Sequence, residues 1–256
     1  MTKIKMFFLL NIYAKDIKNR FKLSYYFFIN LMRKLGILIK FDEIMEVEFK
    51  NNIKVCFKPF SAELAPYMDI FIYKVYEIDE RFIPAENDIV FDIGANIGLY
   101  TIQQSKRVSI GKVYSFEPNP FAYGRLKRNI LINKLENVVS NQVAIGKDSG
   151  KVRFSFKGTT TTGYISSNGN SFEVERVSLD KFIEKNNISK INIMKIDTEG
   201  SELEILRGGE ETLKLTEKIV MEYHSEELKN EVIAFLKSNG FKKLLENDKI
   251  LYFYKI

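Results

Sequence analysis

The chain has 256 residues, of which 45% are hydrophobic and 28% charged, so it can bury one sizeable core like an ordinary globular protein. It contains one cysteine, Cys56, which excludes an internal disulfide framework and a zinc cluster built from cysteines. Its one histidine, His224, excludes a metal site made of several histidines. We predict no metal site.

The net charge of +6 is concentrated at the N-terminus. Residues 1–40 carry nine Lys or Arg against one acid, Asp16, a net charge of +8, so the remaining 216 residues sum to −2. A high isoelectric point that belongs to one segment does not predict nucleic-acid binding by the whole protein.

Residues 1–43 read as a basic, amphipathic helical arm with apolar clusters at 6–10 and 25–29. Neither cluster approaches the roughly 20 apolar residues of a membrane-spanning helix, and no secretory cleavage site follows. Two interpretations stay open. The arm packs as a helical cap on the main domain, or residues 1–40 lie on anionic lipid and add peripheral membrane contact to a cytoplasmic protein.

Residues 44–84 form a lead-in. Alternating polar and apolar residues at 46–49 and 54–57, with Asn51-Asn52 between them, predict a β-hairpin. A helix over about 67–79 is expected next, ending before Pro84.

Residues 85–256 alternate between short apolar strands and helices, which predicts an α/β fold whose parallel sheet is covered on both faces. The expected strands are 89–93, 112–116, 138–145, 191–196 and 219–223, and the expected helices are 97–106, 120–133, 202–213 and 225–238.

Two segments depart from this alternation. Residues 151–157 and 172–179 predict an inserted hairpin whose polar loop, 158–171, is a candidate lid. Residues 242–245 and 250–254 are joined by only four residues, too few for a crossover helix, and must pair antiparallel.

The first site motif, Asp92-Ile93-Gly94-Ala95-Asn96-Ile97-Gly98, follows a strand and opens a helix. Gly94 permits a sharp turn and Gly98 a close approach of backbone to ligand. The turn lacks the middle glycine of a dinucleotide site, and the carboxylate of Asp92 suits a cationic amino-acid group better than a diphosphate.

Acidic residues end other strands of the predicted sheet. Glu117 ends the second strand, where an acid accepts hydrogen bonds from ribose hydroxyls. Asp197 and Glu199 follow the fourth strand, and Glu202 is in the first turn of the next helix. His224 follows the fifth strand, two residues after a glutamate, and is the leading candidate for a base or acceptor-orienting group.

These motifs resemble the FkbM family of methyltransferases over about residues 85–230, through DIVFDIGANIGLYTI, VYSFEPNP, MKIDTEGSELEILRG and MEYH. The resemblance implies the class I methyltransferase fold, a Rossmann-like, mostly parallel sheet with a C-terminal antiparallel hairpin. It also implies S-adenosylmethionine as cofactor and O-methylation of a hydroxyl on a sugar, glycan or secondary metabolite.

The resemblance further assigns residues to parts of the methyl donor. Asp92, Gly94, Asn96 and Gly98 are expected around the methionine part, Glu117 at the ribose, and Asn141 to Ala144 near the adenine. On the acceptor side we expect Asp197, Glu199 and His224, with the acceptor a small molecule or glycan and the oligomeric state unspecified.

Two other functions are weighed against this one. A nicotinamide-dependent Rossmann oxidoreductase requires a G-x-G-x-x-G turn and a substrate domain after the sheet, and the chain shows neither. A non-catalytic module would bind membrane or polyanion through the basic arm.

Overall fold

A seven-stranded sheet forms the centre of the computed structural model, which describes residues 3–37, 44–58, 62–156, 163–165 and 171–256. Its strands are β3 Ile89–Ile93, β4 Lys112–Phe116, β5 Val138–Asn141, β10 Ile191–Ile196, β11 Thr216–Glu222, β12 Phe241–Asn247 and β13 Ile250–Lys255. They lie in the order β12-β13-β11-β10-β3-β4-β5. Strands β5, β4, β3, β10 and β11 are parallel, and β13 and β12 are antiparallel at one edge.

Helices cover both faces of this sheet because its strands alternate their apolar side chains between two cores. In β3, Val90 belongs to the core that also includes residues of the N-terminal arm, while Phe91 and Ile93 belong to the other core. The helices of the main domain are α3 Leu99–Ser105, α4 Pro120–Ile132, α5 Leu179–Asn186, α6 Glu202–Arg207, α7 Glu210–Lys214 and α8 Glu226–Ser238. The predicted fold class, with its parallel sheet and antiparallel C-terminal hairpin, is confirmed.

Three predicted elements are corrected. The helix over 67–79 is only a short π-helix, Met68–Ile72, because the chain turns at Lys74, whose φ is 52°. The strand over 138–145 divides into β5 and a separate β6, Ala144–Ile145. The helix over 202–213 breaks at Gly208, where a Cβ would lie 2.2 Å from a neighbouring carbonyl oxygen.

The inserted hairpin belongs to a second sheet of order β6-β9-β7-β8, where β7 is Gly150–Phe156, β8 Gly163–Ile165 and β9 Ser171–Val177. Strands β7 and β9 pair antiparallel as predicted. Of the candidate lid over 158–171, residues 158–162 and 166–170 lie outside the described residues. Helix α5, which the sequence did not reveal, follows β9 after the N-cap Ser178.

The N-terminal arm consists of α1, Lys3–Tyr13, and α2, Ile17–Lys34, and Asp16 caps α2 by accepting from the Asn19 amide. Leu10, Ala14 and Leu23 are buried in the same core as Val90, so the inner face of the arm packs on the main domain. No helix of the described chain is both long and apolar enough to cross a membrane. The domain boundaries at 43 and 84 stay predictions.

The lead-in hairpin, β1 Met45–Glu48 and β2 Lys54–Phe57, is held at both edges. On the β2 edge, the side-chain amide of Asn129 accepts from Cys56 N at 2.6 Å and donates to Cys56 O and Ile97 O. One helical turn later, Asn133 exchanges the same pair of bonds with Lys54. Asn129 of α4 and its C-cap residue Asn133 thus make hydrogen bonds to β2 of the kind that a third strand would make.

The β1 edge is covered by the arm. Lys15 N donates to Glu48 O at 2.9 Å, and Glu48 N donates to the buried side chain of Asn19 at 2.8 Å. Lys22 Nζ donates to Glu46 O. A two-stranded hairpin is marginally stable alone, so these bonds join it to the rest of the molecule.

Asn129→Ala is expected to lower the free energy of unfolding by about 3 kcal/mol, because three buried backbone groups lose their partner. Asn133→Ala, at a half-buried site, is expected to cost about 1 kcal/mol. Urea denaturation measures both, with Asn186→Ala as control because its amide bonds only the preceding turn of its own helix. Equal losses in all three variants would contradict this account of the β2 edge.

Candidate active site

The turn between β3 and α3 brings two strand ends together. Gly94 has φ 77°, and its amide and that of Ala95 both donate to Phe116 O, at the end of β4. A Cβ on Gly94 would lie 1.8 Å from Asp197 O, at the end of β10. Gly98, with φ 86°, begins α3. Glycine is therefore required at 94 both for the turn and for the contact between strand ends.

Glu117 is fixed against this turn. Its carboxylate accepts from Asn96 N through Oε2 and from Asn119 N through Oε1, both at 2.8 Å. Burial raises the pKa of Glu117 to about 7, although the two amides oppose this shift. The acid at the end of β4 is thus held in one position, and its role at ribose hydroxyls stays a prediction.

Asp92 lies below the turn and is completely buried. It accepts from Thr101 Oγ1 at 2.6 Å, and its other oxygen lies 3.1 Å from Lys195 Nζ. We predicted that Asp92 surrounds the methionine part of the methyl donor because a carboxylate suits a cation. In the structure the cation that faces Asp92 is the chain's own Lys195, and a place for Asp92 around the methionine part of the donor stays a prediction.

Lys195 is the residue that the sequence reasoning missed. Its ammonium donates to Gly94 O at 3.0 Å, lies 3.6 Å from Asp197 Oδ2, and faces the rings of Tyr76 and Tyr100. Tyr76 OH in turn donates to Asp197 Oδ2 at 3.1 Å. A lysine inside the apolar strand 191–196 was the available signal, since a buried charge requires a partner.

The acceptor-side residues form a second cluster around Glu202. This buried carboxylate accepts from Thr198 N and Gly200 N and lies 2.9 Å from His224 Nδ1. His224 Nε2 lies 3.5 Å from Glu199, whose backbone has φ 56°. Glu202 is more than a helix-cap residue, because it holds the 198–200 loop and the imidazole together.

Two pKa shifts define the charges of this cluster. The bond to Glu202 is the largest cause that raises the pKa of His224 to about 9, so the imidazole is protonated at neutral pH. Burial and the neighbouring charge of Asp197 raise the pKa of Glu222, the last residue of β11, to about 6. Glu222 is therefore mostly ionised at neutral pH beside a cationic histidine.

The residues expected at the adenine are only partly brought to this crevice. Asn141 O accepts from Glu117 N at 3.1 Å, which joins the end of β5 to the donor side. The Asn141 amide turns back to Ser115 O and Val139 O. Ala144 is buried in the second sheet, where it packs with Val174.

A cavity of about 60 Å³ lies between the glycine turn and Lys195. It is lined by Glu63, Pro66, Ile70, Tyr76, Gly94, Ala95, Asn96, Ile97, Leu99, Tyr100, Lys195 and Asp197. This volume is well below that of a usual ligand pocket, so the cavity takes only one end of a ligand of ordinary size.

The residues fit S-adenosylmethionine in kind. Asn96 Oδ1 is buried and has no hydrogen-bond partner in the part of the chain that the structure describes; Asn96 lines the cavity, and its backbone amide donates to Glu117. Lys195, which lines the cavity, offers an ammonium to a ligand end that carries a carboxylate. Within the described residues, no group of three or more His, Cys, Asp or Glu is arranged to hold a metal ion.

A larger depression, of about 600 Å³, lies along α5 and is a weaker candidate. Its most polar group, Asp180, already accepts from Thr212 N, Thr212 Oγ1 and Glu211 N. None of its lining residues also lines the cavity beside the glycine turn.

A parallel sheet closed by an antiparallel hairpin, with a glycine turn at β3 and an acid at the end of β4, defines a class I methyltransferase. The chain belongs to the FkbM methyltransferase family, because the model of the methyltransferase FkbM domain matches residues 92–243, more than half of its length. The predicted family and enzyme class are confirmed, and the assignment supports S-adenosylmethionine as cofactor.

Three curated relatives show the range of this similarity. The chain is 30% identical to the hexuronic acid methyltransferase AglP of Haloferax volcanii over 142 residues, which cover 55% of this chain and 57% of that protein. It is 26% identical to the 31-O-demethyl-FK506 methyltransferase FkbM of Streptomyces tacrolimicus, over 64% and 76% of the two chains. It is 25% identical to the 2-O-methyltransferase NoeI of Sinorhizobium fredii, over 76% and 82%.

Because His224 is the only histidine in the chain, its titration can be followed directly by NMR. We expect a midpoint near pH 9, and Glu202→Gln should lower this pKa by about one unit or more. Because the pKa is raised by folding, the stabilisation is full below about pH 6.5 and is lost as pH rises through 9. Glu226→Gln is the exposed control, and a midpoint near 6.5 in the unmodified protein would refute the bond to Glu202.

Proposed function

We propose that this chain transfers a methyl group from S-adenosylmethionine to a hydroxyl oxygen of a saccharide or a secondary metabolite. The juxtaposition of two clusters carries the proposal. Glu117 and Asn96 lie at the ends of β4 and β3, and Asp197 and His224 lie at the ends of β10 and β11. Neighbouring parallel strands thus present a nucleoside-binding side and an acid-lined acceptor side to one crevice.

The names of the three relatives support a saccharide or secondary metabolite as the methyl acceptor. One is a hexuronic acid methyltransferase, one a 2-O-methyltransferase and one a methyltransferase of the 31-oxygen of a demethylated metabolite. Family membership also favours this function over a nicotinamide-dependent oxidoreductase and over a purely non-catalytic module.

S-Adenosylmethionine supplies, when bound, a methyl group on a positively charged sulfur that needs no further activation. The task of the protein is then to position the hydroxyl and to accept its proton as the oxygen–carbon bond forms. Asp197 lies on the acceptor side, where Tyr76 and Lys195 fix its carboxylate. Glu199 and His224 face the same crevice from the loop and from β11.

The pKa values favour different roles for His224 and Glu222. A protonated imidazole donates hydrogen bonds, so His224 orients the acceptor oxygen and does not take its proton. Of the two roles expected for His224, a base or an acceptor-orienting group, we propose the orienting role. Glu222, with a pKa of about 6, is ionised at neutral pH and is the proposed proton acceptor.

The function is tested by supplying S-adenosylmethionine labelled in its methyl group to the protein with cell extracts separated into glycans, lipids and small metabolites. Label is expected in hydroxyl-bearing molecules as an alkali-stable methyl ether. Glu222→Gln should slow transfer by about 10²-fold or more with unchanged donor affinity, whereas the exposed control Glu227→Gln should not. Calorimetric binding of NADH without binding of S-adenosylmethionine would favour the oxidoreductase instead.

Donor binding should depend on the ionisation of Glu117, whose charged form accepts hydrogen bonds from ribose hydroxyls. With a pKa of about 7, the affinity for S-adenosylmethionine is expected to rise about tenfold between pH 6 and pH 8. Glu117→Gln should bind more weakly and with a flatter profile, while Glu136→Gln, an exposed control, should follow the original curve. Titration calorimetry measures this, and an unchanged profile in Glu117→Gln would remove Glu117 from the donor site.

A further inference from the structure

Helix α2 has a second apolar face whose large side chains are exposed to solvent. Large apolar residues recur along it every three or four positions, the spacing of one side of a helix, and each is between 42% and 69% exposed. They are Ile17, Phe21, Tyr25, Phe28, Leu31 and Leu35. Over the 18 residues of α2 this outer stripe runs for about 27 Å.

The stripe is separate from the face of α2 that stabilises the fold. Leu23 and Ile29 are buried, and Tyr26 packs edge-on against Phe57 of β2. On α1, Phe8 and Ile12 are also 60% and 54% exposed. A continuous apolar stripe of this length on one side of a helix is the kind of surface that marks an interaction site.

The positive charge of the arm indicates what kind of partner binds the outer stripe. Lys18 and Arg20, beside the first residues of the outer stripe, are exposed, and residues 1–40 carry a net charge of +8. The one acid of this segment, Asp16, is used to cap α2. A second copy would bring two segments of +8 together, which disfavours self-association, whereas an anionic surface complements both the charge and the apolar stripe.

We propose that α2 lies flat on an anionic lipid bilayer, with its outer stripe at the level of the headgroups and its basic residues on the lipid phosphates. This is one of the two roles that the sequence left open for the arm, and the packed inner face shows that a single helix can fill both. Docking requires no methyl transfer, so it can fail or succeed independently of the proposed function.

The site lies close to this surface along the chain. Phe57, which contacts Tyr26 of α2, is followed by Lys58, whose amide donates to Glu63 at 2.7 Å. Glu63 lines the cavity beside the glycine turn. The inner face of α2 is thus connected through β2 to the cavity beside the glycine turn.

The test is flotation of the full chain with vesicles of phosphatidylcholine alone and of phosphatidylcholine with 30% phosphatidylglycerol, on the order of an ordinary anionic leaflet. Binding is expected only to the anionic vesicles and should weaken as salt is raised. Lys18→Gln/Arg20→Gln should weaken it by about fivefold for each residue, and Phe21→Ser/Phe28→Ser by at least about tenfold.

Matched controls lie on other helices. Leu131→Ser removes an equally exposed apolar residue of α4, and Lys237→Gln removes an exposed basic residue of α8; both should bind vesicles like the unmodified chain. Thermal melting and donor calorimetry of every variant show whether the fold and the donor site are intact. Point variants are preferred to deletion of the arm because its inner face belongs to the core.

Three results would overturn the proposal. One is absence of binding to the anionic vesicles, and another is equal binding to neutral and anionic vesicles. The third is a dimer, seen by analytical ultracentrifugation, that Phe21→Ser/Phe28→Ser dissociates while vesicle binding is absent. That outcome would assign the outer stripe to a second copy of the chain.

Discussion

The buried ammonium of Lys195 is the interaction on which the site depends. A charge without a partner in a protein interior costs several kcal/mol, so this lysine requires its neighbours to stay in place. Asp92 is its register partner on the adjacent strand β3, and Asp197 follows two residues later on β10. Burial alone would lower the pKa of Lys195. The charges of Asp92 and Asp197 outweigh burial and raise the pKa overall, which keeps the group charged.

This arrangement couples the stability of the sheet to the chemistry of the crevice. The same ammonium bonds to Gly94 O, so the ion pair also fixes the turn that carries Asn96 to Glu117. On the other side, Glu202 holds both the 198–200 loop and His224. Few residues would contact substrate, and buried charged groups hold them in place, as Lys195 does for Asp197 and Glu202 does for His224.

The sequence predicted the strands of the main sheet well because their patterns are local. The apolar run 191–196 matches β10 at both ends, and the short connection after residue 245 required an antiparallel hairpin. It also found the acids at the strand ends, since the carboxyl edge of a parallel sheet is where ligands bind.

What the sequence could not show depends on contacts between distant segments. Tyr76 lies in the lead-in, outside the recognised motifs, yet it bonds to Asp197, 121 residues away. The partner of Asp92 is decided by strand order, which places Lys195 beside it. The raised pKa of His224 follows from a 2.9 Å contact with Glu202 that spacing alone does not predict.

The asparagine bonds of α4 have a consequence for how the protein behaves at high concentration. An open strand edge is a template on which another chain can add a strand, and natural proteins avoid leaving such edges bare. Here Asn129 and Asn133 occupy one edge of the small hairpin, and Lys15 and Asn19 of the arm occupy the other. A truncated chain that lacks the arm would uncover β1, and we would expect it to aggregate through that strand.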